Sequence, residues 1–97
     1  MNNNFKYEVR KTNTYKRNYK SAIKRGYNIK LLDEAINILA ETGTLPAKYN
    51  DHKLTGNWAG YRECHITGDW LLIYRIEKDK LILTLTRTGT HSDLLDK

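Results

Sequence analysis

A single cysteine, Cys64, is all the thiol chemistry in these 97 residues, and one thiol cannot close an internal disulfide. The opening stretch MNNNFKYEVR lacks the apolar run of a signal peptide. These two absences predict a cytoplasmic protein. No window approaches the roughly 20 apolar residues that span a bilayer, and the longest apolar run is only Trp70 to Tyr74, so no membrane partner is expected. Repeats, low-complexity tracts and linkers are also missing. One domain over residues 1–97 with one hydrophobic core is the expectation, and a chain this short buries only roughly 60–65% of its unfolded surface. There is no Cys pair and no His-x-x-x-His helix, which leaves a zinc site without a ligand pattern. No metal or other cofactor is expected.

Acidic residues are scarce at the start of the chain. Residues 1–30 carry nine Lys/Arg against Glu8 alone, a surplus of +8, whereas residues 31–97 carry eight against ten. The N-terminal third therefore presents a positive surface that attracts a polyanion over a Debye length of about 8–10 Å. Nucleic acid or an acidic protein fits that field, and a solvated basic helix face is the competing reading. With 39% hydrophobic and 29% charged residues, the composition is that of a folded globular domain.

Periodicity supplies the elements. After a short extended piece at residues 7–10, Thr12 to Thr14 offer capping groups for a helix that runs to Arg25 and ends at Gly26. Tyr15, Tyr19, Ala22 and Ile23 form its apolar stripe at helical spacing. Lys16, Lys20 and Lys24 line another face, with Arg17 beside them. Asn28 caps a second helix in which Asp33 and Glu34 favour the N-terminal dipole. Leu32, Ala35, Ile36 and Leu39 are its buried stripe, and Gly43 and Pro46 close it. Residues 47–60 read as one long loop, a feature that is usually functional in a compact domain. His52 and Trp58 lie in it. From residue 61 the period changes, and residues 61–66, 70–77 and 80–87 are three runs rich in β-branched, aromatic and leucine side chains. Their short connections make an antiparallel meander. The predicted fold is α+β: an antiparallel sheet of about four strands, joined by the N-terminal strand, with two helices packed on one face.

In the last run Leu81, Leu83 and Leu85 share a face, and Arg87 continues that phase at the strand's end. Thr88-Gly89-Thr90-His91 then reads as a turn that holds an imidazole near the guanidinium. Strand alternation places Tyr61, Glu63 and His65 together, with the Cys64 thiol on the opposite side, and the following turn delivers Asp69 and Trp70. His52, His65 and His91, all the histidines of the chain, can thus converge with Asp69 and Arg87. Cutting RNA without a metal needs a base for the 2′-OH, an acid for the leaving 5′ oxygen and a cation for the phosphorane. Imidazole serves both proton tasks near neutrality, and arginine's planar fork matches two phosphate oxygens. An aspartate can fix an imidazole's tautomer, and Trp70 can stack on a base. Each assignment has a plain competitor: an ordinary surface or core histidine, and a tryptophan in the core.

Three ordered blocks carry a resemblance. They are Asp51-His52-Lys53-Leu54 with Gly60-Tyr61-Arg62-Glu63-Cys64-His65-Ile66, then Asp69-Trp70-Leu71-Leu72-Ile73-Tyr74, then Arg87-Thr88-Gly89-Thr90-His91-Ser92-Asp93-Leu94. The chain resembles the YafQ branch of the RelE toxin superfamily, in its second half by motif and in its first half by element order and basic character. The resemblance implies a RelE-like α+β fold and a toxin of a bacterial type II toxin–antitoxin pair. It also implies a ribosome-dependent endoribonuclease that cleaves mRNA in the A site by metal-independent acid/base catalysis and so stops translation. His52, His65, Asp69, Arg87 and His91 are then the catalytic set. Trp70, Leu95 and the helix lysines Lys16, Lys20 and Lys24 contact mRNA or ribosomal RNA. Leu95 departs from the pattern, because the family often has an aromatic there; an aliphatic side chain packs on a base but cannot stack. The implied partners are a cognate antitoxin, the small ribosomal subunit with its rRNA, and mRNA, with operator DNA reached only through the antitoxin complex. The alternatives are a catalytically weak ribosome- or RNA-binding module and an antitoxin-complexed transcriptional co-repressor.

Overall fold

The computed structural model describes residues 5–94, and Leu95 lies outside the described residues. Strand β1 (Glu8–Lys11) leads into helix α1 (Asn13–Lys24) and helix α2 (Ile29–Thr42), followed by a two-residue strand β2 (His52–Lys53). Strands β3 (Arg62–Thr67), β4 (Trp70–Glu77) and β5 (Ile82–Gly89) precede a last short helix α3 (His91–Leu94). The sheet runs in the order β1-β5-β4-β3-β2. The expected α+β architecture holds, and the sheet, expected with about four antiparallel strands, has five with one parallel pair. β1 pairs with β5 in parallel, because the two-helix crossover returns the chain to the same end of the sheet, whereas the short turns make β3, β4 and β5 antiparallel.

Local chemistry sets both helix ends. Thr12 caps α1 by accepting from the Tyr15 amide at 2.9 Å, and its hydroxyl donates to the Thr86 carbonyl at 2.7 Å. Asn28 caps α2 through the Lys30 amide. Gly43 ends α2 with φ +80°, and a Cβ there would stand 2.8 Å from the Tyr7 hydroxyl, so glycine answers both the backbone angle and the packing. Two expectations need correction. Ile23 is 53% exposed, so the buried stripe of α1 narrows to Tyr15 and Ala22 with Tyr19 partly covered. Asp33 and Glu34 fall beyond the first turn of α2, where the dipole acts, and Asp33 instead accepts from the Tyr19 hydroxyl at 3.2 Å.

The sheet buries both of its faces, unequally. On the helix side Tyr15, Leu32, Leu39, Cys64, Trp70, Leu72, Tyr74, Leu83 and Leu85 form the main core. On the other side Leu71, Ile73 and Leu94 make a small cluster with Leu54, Trp58 and Tyr61 against it. Among the described residues this second face is covered by Leu54, Trp58 and Tyr61 and by α3, and it is where polar side chains gather.

One irregularity decides which side chains gather there. Tyr74 pairs with Leu85 but Ile73 pairs with Arg87, so Thr86 is an extra residue in β5. That bulge reverses the alternation. Arg87 leaves the phase of Leu83 and Leu85 and joins Ile73 on the second face, correcting the expectation of one continuous phase. Leu81 is not in the strand; it occupies the turn before it, with φ +57°.

Candidate functional site

Six elements contribute to a shallow site on the second face. β2 presents His52, β3 presents Glu63 and His65, the β3–β4 turn presents Asp69, β5 presents Arg87, α3 presents His91, and the 47–60 segment presents Trp58. Pairing sets the rows: His52 lies opposite Glu63, Glu63 opposite Ile73, and His65 opposite Leu71. The imidazoles stand in sequence, with ring centroids 6.3 Å apart for His52 and His65 and 6.1 Å for His65 and His91.

Each histidine has a distinct environment. His52 Nδ1 is 2.9 Å from the Asn50 carbonyl, and its Nε2 is 3.1 Å from Glu63 Oε1. His91 Nδ1 is 2.8 Å from Asp69 Oδ1. His91 Nε2 points back to the same Glu63 oxygen at 3.7 Å. His65 stands half-buried between them. The Arg87 guanidinium lies 5.1 Å over the Trp58 ring, a cation–π contact that holds it side-on, while Nη1 donates to the Leu94 carbonyl at 3.4 Å.

The segment 47–60 is not an unstructured loop. It contains two short 3₁₀ turns, Ala47–Tyr49 and Gly56–Trp58, on either side of β2. Asp51 ties it down by accepting from the buried Tyr74 hydroxyl at 2.7 Å and pairing with Arg62 at 3.2 Å. The neighbouring His52 is thereby fixed. Burial, with Asp51 as acceptor, pushes the Tyr74 phenol well above its ordinary range.

α3 is held from both ends. The Thr90 amide donates to Asp93 at 3.1 Å and the Asp93 amide to the Thr90 hydroxyl at 3.3 Å, which is a capping box. Asp93 also pairs with Arg25 at the end of α1, at 3.0 Å. The Thr90 amide and then the Arg25 guanidinium hold the Asp93 carboxyl below its usual value. What reads in sequence as a loose turn before His91 is a capped helix that aims the ring. The Thr90-x-x-Asp93 spacing carried that signal.

The five residues His52, His65, Asp69, Arg87 and His91 come together on one face. Trp70 does not join them: it is 4% exposed, its Nε1 donates to Thr88 at 2.9 Å, and Tyr27 packs against it at 4.8 Å. The expectation of a stacking platform at Trp70 is corrected to a core residue, because β4 alternation turns it to the helix side. Lys16, Lys20 and Lys24 are exposed along α1. Cys64 is fully buried on the helix side, and burial pushes its thiol up to about 12. Glu63, placed by alternation beside His65 but given no role there, is the residue that sequence reasoning missed. Among the described residues no three His, Cys, Asp or Glu side chains are arranged to hold a metal ion.

The fold, a small sheet backed by two helices, is shared with toxins of type II toxin–antitoxin systems. The family model described as "Bacterial toxin of type II toxin-antitoxin system, YafQ" matches residues 7–96. The mRNA interferase toxin YafQ of Escherichia coli strain K12 is 41% identical over 88 residues, 90% of this chain and 94% of that protein. Two crystal structures superpose closely. A histidine-to-glutamine variant of YafQ from E. coli has a TM-score of 0.85 at 34% identity, covering 92% of this chain and 98% of its own. YafQ in the E. coli DinJ-YafQ toxin-antitoxin complex has a TM-score of 0.84 at 35% identity, over 93% and 98%. This chain belongs to the YafQ toxin family.

Proposed function

We propose that the chain is a ribosome-dependent endoribonuclease that cuts mRNA in the ribosomal A site, without a metal, and so halts translation. The observation that carries this reading is the convergence of three imidazoles, Asp69 and Arg87 within one shallow site. The kinship with a toxin named an mRNA interferase supports it. Attack by the RNA's own 2′-OH needs a proton removed on one side of the phosphate and one delivered on the other. His65 and His91, ring centroids 6.1 Å apart, are the proton carriers. Asp69 takes the Nδ1 hydrogen of His91 and so aims its Nε2 at the substrate. Arg87, held side-on against the Trp58 ring, clamps the two phosphate oxygens that gain charge in the transition state.

The site is shallow, so substrate must be presented. A ribosome that holds the mRNA extended does this, and the exposed lysines Lys16, Lys20 and Lys24 contact rRNA phosphates. Leu95 lies beyond the described residues and is assigned to packing on a base. A cognate antitoxin keeps the toxin inert, as the DinJ-YafQ pairing suggests, and operator DNA is reached only through that complex. The toxin acts in the cytoplasm.

The test is to add purified protein to translating ribosomes and map the mRNA ends. Cuts at fixed positions within A-site codons, abolished in His91→Ala, are expected. Intact mRNA alongside arrested ribosomes would sink the nuclease reading and leave a protein that blocks by occupancy.

A further inference from the structure

We propose that Glu63 is a positioning residue that locks His52 as a fixed cation and so leaves the proton transfers to His65 and His91. This rests on the reading of these residues as the cleavage site.

The deduction starts from donors and acceptors. A backbone carbonyl only accepts, so His52 Nδ1, 2.9 Å from the Asn50 carbonyl, carries a hydrogen. The other ring nitrogen, Nε2, faces Glu63 Oε1 at 3.1 Å. A bare imidazole nitrogen and a bare carboxylate oxygen repel at that distance, so a proton lies between them. Placed on the imidazole, that proton gives His52 hydrogens on both nitrogens and a positive charge, with the Glu63 carboxylate as its counter-ion. Both hydrogens are committed to protein acceptors, so the ring is a poor shuttle but a fixed positive charge. His91 differs. Its Nδ1 hydrogen is bound by Asp69 at 2.8 Å, whereas its Nε2 stands 3.7 Å from Glu63 Oε1, beyond hydrogen-bonding range. That nitrogen stays available to substrate.

Burial makes the carboxylate unusual. The Glu63 side chain is 3% exposed, and its Oε2 has no hydrogen-bond partner among the described residues. Carboxylates are almost never buried without full pairing, because desolvation costs several kcal/mol per ion. A structural glutamate would have both oxygens satisfied. This one is satisfied at Oε1 alone, by His52. The groups that face it are His52 from β2 and His91 from α3, with Asp69 behind His91, His65 two residues along β3, and Arg87 in the same cross-strand row beyond Ile73.

The experiment compares single-turnover cleavage on ribosomes by wild type, Glu63→Gln and Glu63→Asp from pH 6 to pH 8.5. Glutamine keeps the shape but removes the negative charge that holds the second hydrogen on the His52 ring. The wild-type to Glu63→Gln rate ratio is expected to grow at least about tenfold across that span, and Glu63→Asp to recover much of the loss. A ratio that stays constant with pH would overturn the proposal, because a merely structural role scales all rates alike. Should Glu63→Gln fail to fold, ¹⁵N shifts of the wild-type His52 ring at pH 7.5 decide the question. Hydrogens on both nitrogens support the proposal, and one bare nitrogen overturns it. If Arg87→Ala and His65→Ala cleave normally, the site reading fails instead, and the ring shifts still judge Glu63.

Discussion

Arg87 owes its position to one extra residue. Strict alternation along β5 would turn its guanidinium to the helix side with Leu83 and Leu85, and the Thr86 bulge sends it to the histidines instead. Thr12 secures that bulge by donating to the Thr86 carbonyl at 2.7 Å while capping α1. Once there, the guanidinium is held against Trp58. Arg87→Ala is expected to lower single-turnover cleavage on ribosomes by about 10²–10³-fold, the scale of a lost transition-state charge clamp. Arg87→Lys should recover little, since an ammonium neither stacks on the ring nor matches two oxygens. A rate within tenfold of wild type for the alanine variant would reduce Arg87 to a positioning role. Trp70 gives the opposite lesson. An aromatic next to Asp69 in sequence is compatible with stacking on a base, but the Trp70 ring lies in the core on the helix side of the sheet.

Among the elements, α3 has four described residues, and the Thr90–Asp93 capping box and the Arg25–Asp93 pair hold its first turn in place. Asp93 therefore couples His91 to the basic helix. Its folded carboxyl lies below the ordinary value, so its stabilising contribution is full above the unfolded pKa near 3.9 and fades as pH falls through the folded one. Partial exposure makes the global effect small, and the local effect is the one to measure. The protection factor of the Leu94 amide, its exchange rate relative to an unstructured amide at the same pH, should fall on acidification below about pH 4. Asp93→Asn should show fast exchange already at neutral pH, with cleavage reduced because His91 is no longer aimed. Unchanged exchange in that variant would show that the Leu94 packing alone secures α3. Helices α1 and α2 were more legible, because Thr12, Asn28 and Gly43 sit where caps were expected. The capping box is less legible, because Thr88-Gly89-Thr90 directly before it has the composition of a turn.

Across the whole molecule, charge and chemistry occupy different regions. Lys16, Lys20 and Lys24 lie along α1, while the histidines sit on the sheet face that the helices leave free. Changing all three lysines to alanine should weaken ribosome binding and flatten its dependence on salt, because each lost phosphate contact removes a released counterion. Cleavage of mRNA already bound on the ribosome should hold. An unchanged salt slope, read from binding titrations at several ionic strengths, would move the RNA contact elsewhere. The sequence by itself determined the elements, the basic N-terminal third and the residue types available for catalysis, since these depend on spacing, capping groups and side-chain chemistry. Only the tertiary structure decided the parallel pairing of β1 with β5, the face on which Arg87 appears, the core position of Trp70 and the contact of Glu63 with His52. Each of these depends on which residue lies opposite which across strands distant in the chain. A single-residue bulge reverses that relation without changing the local pattern.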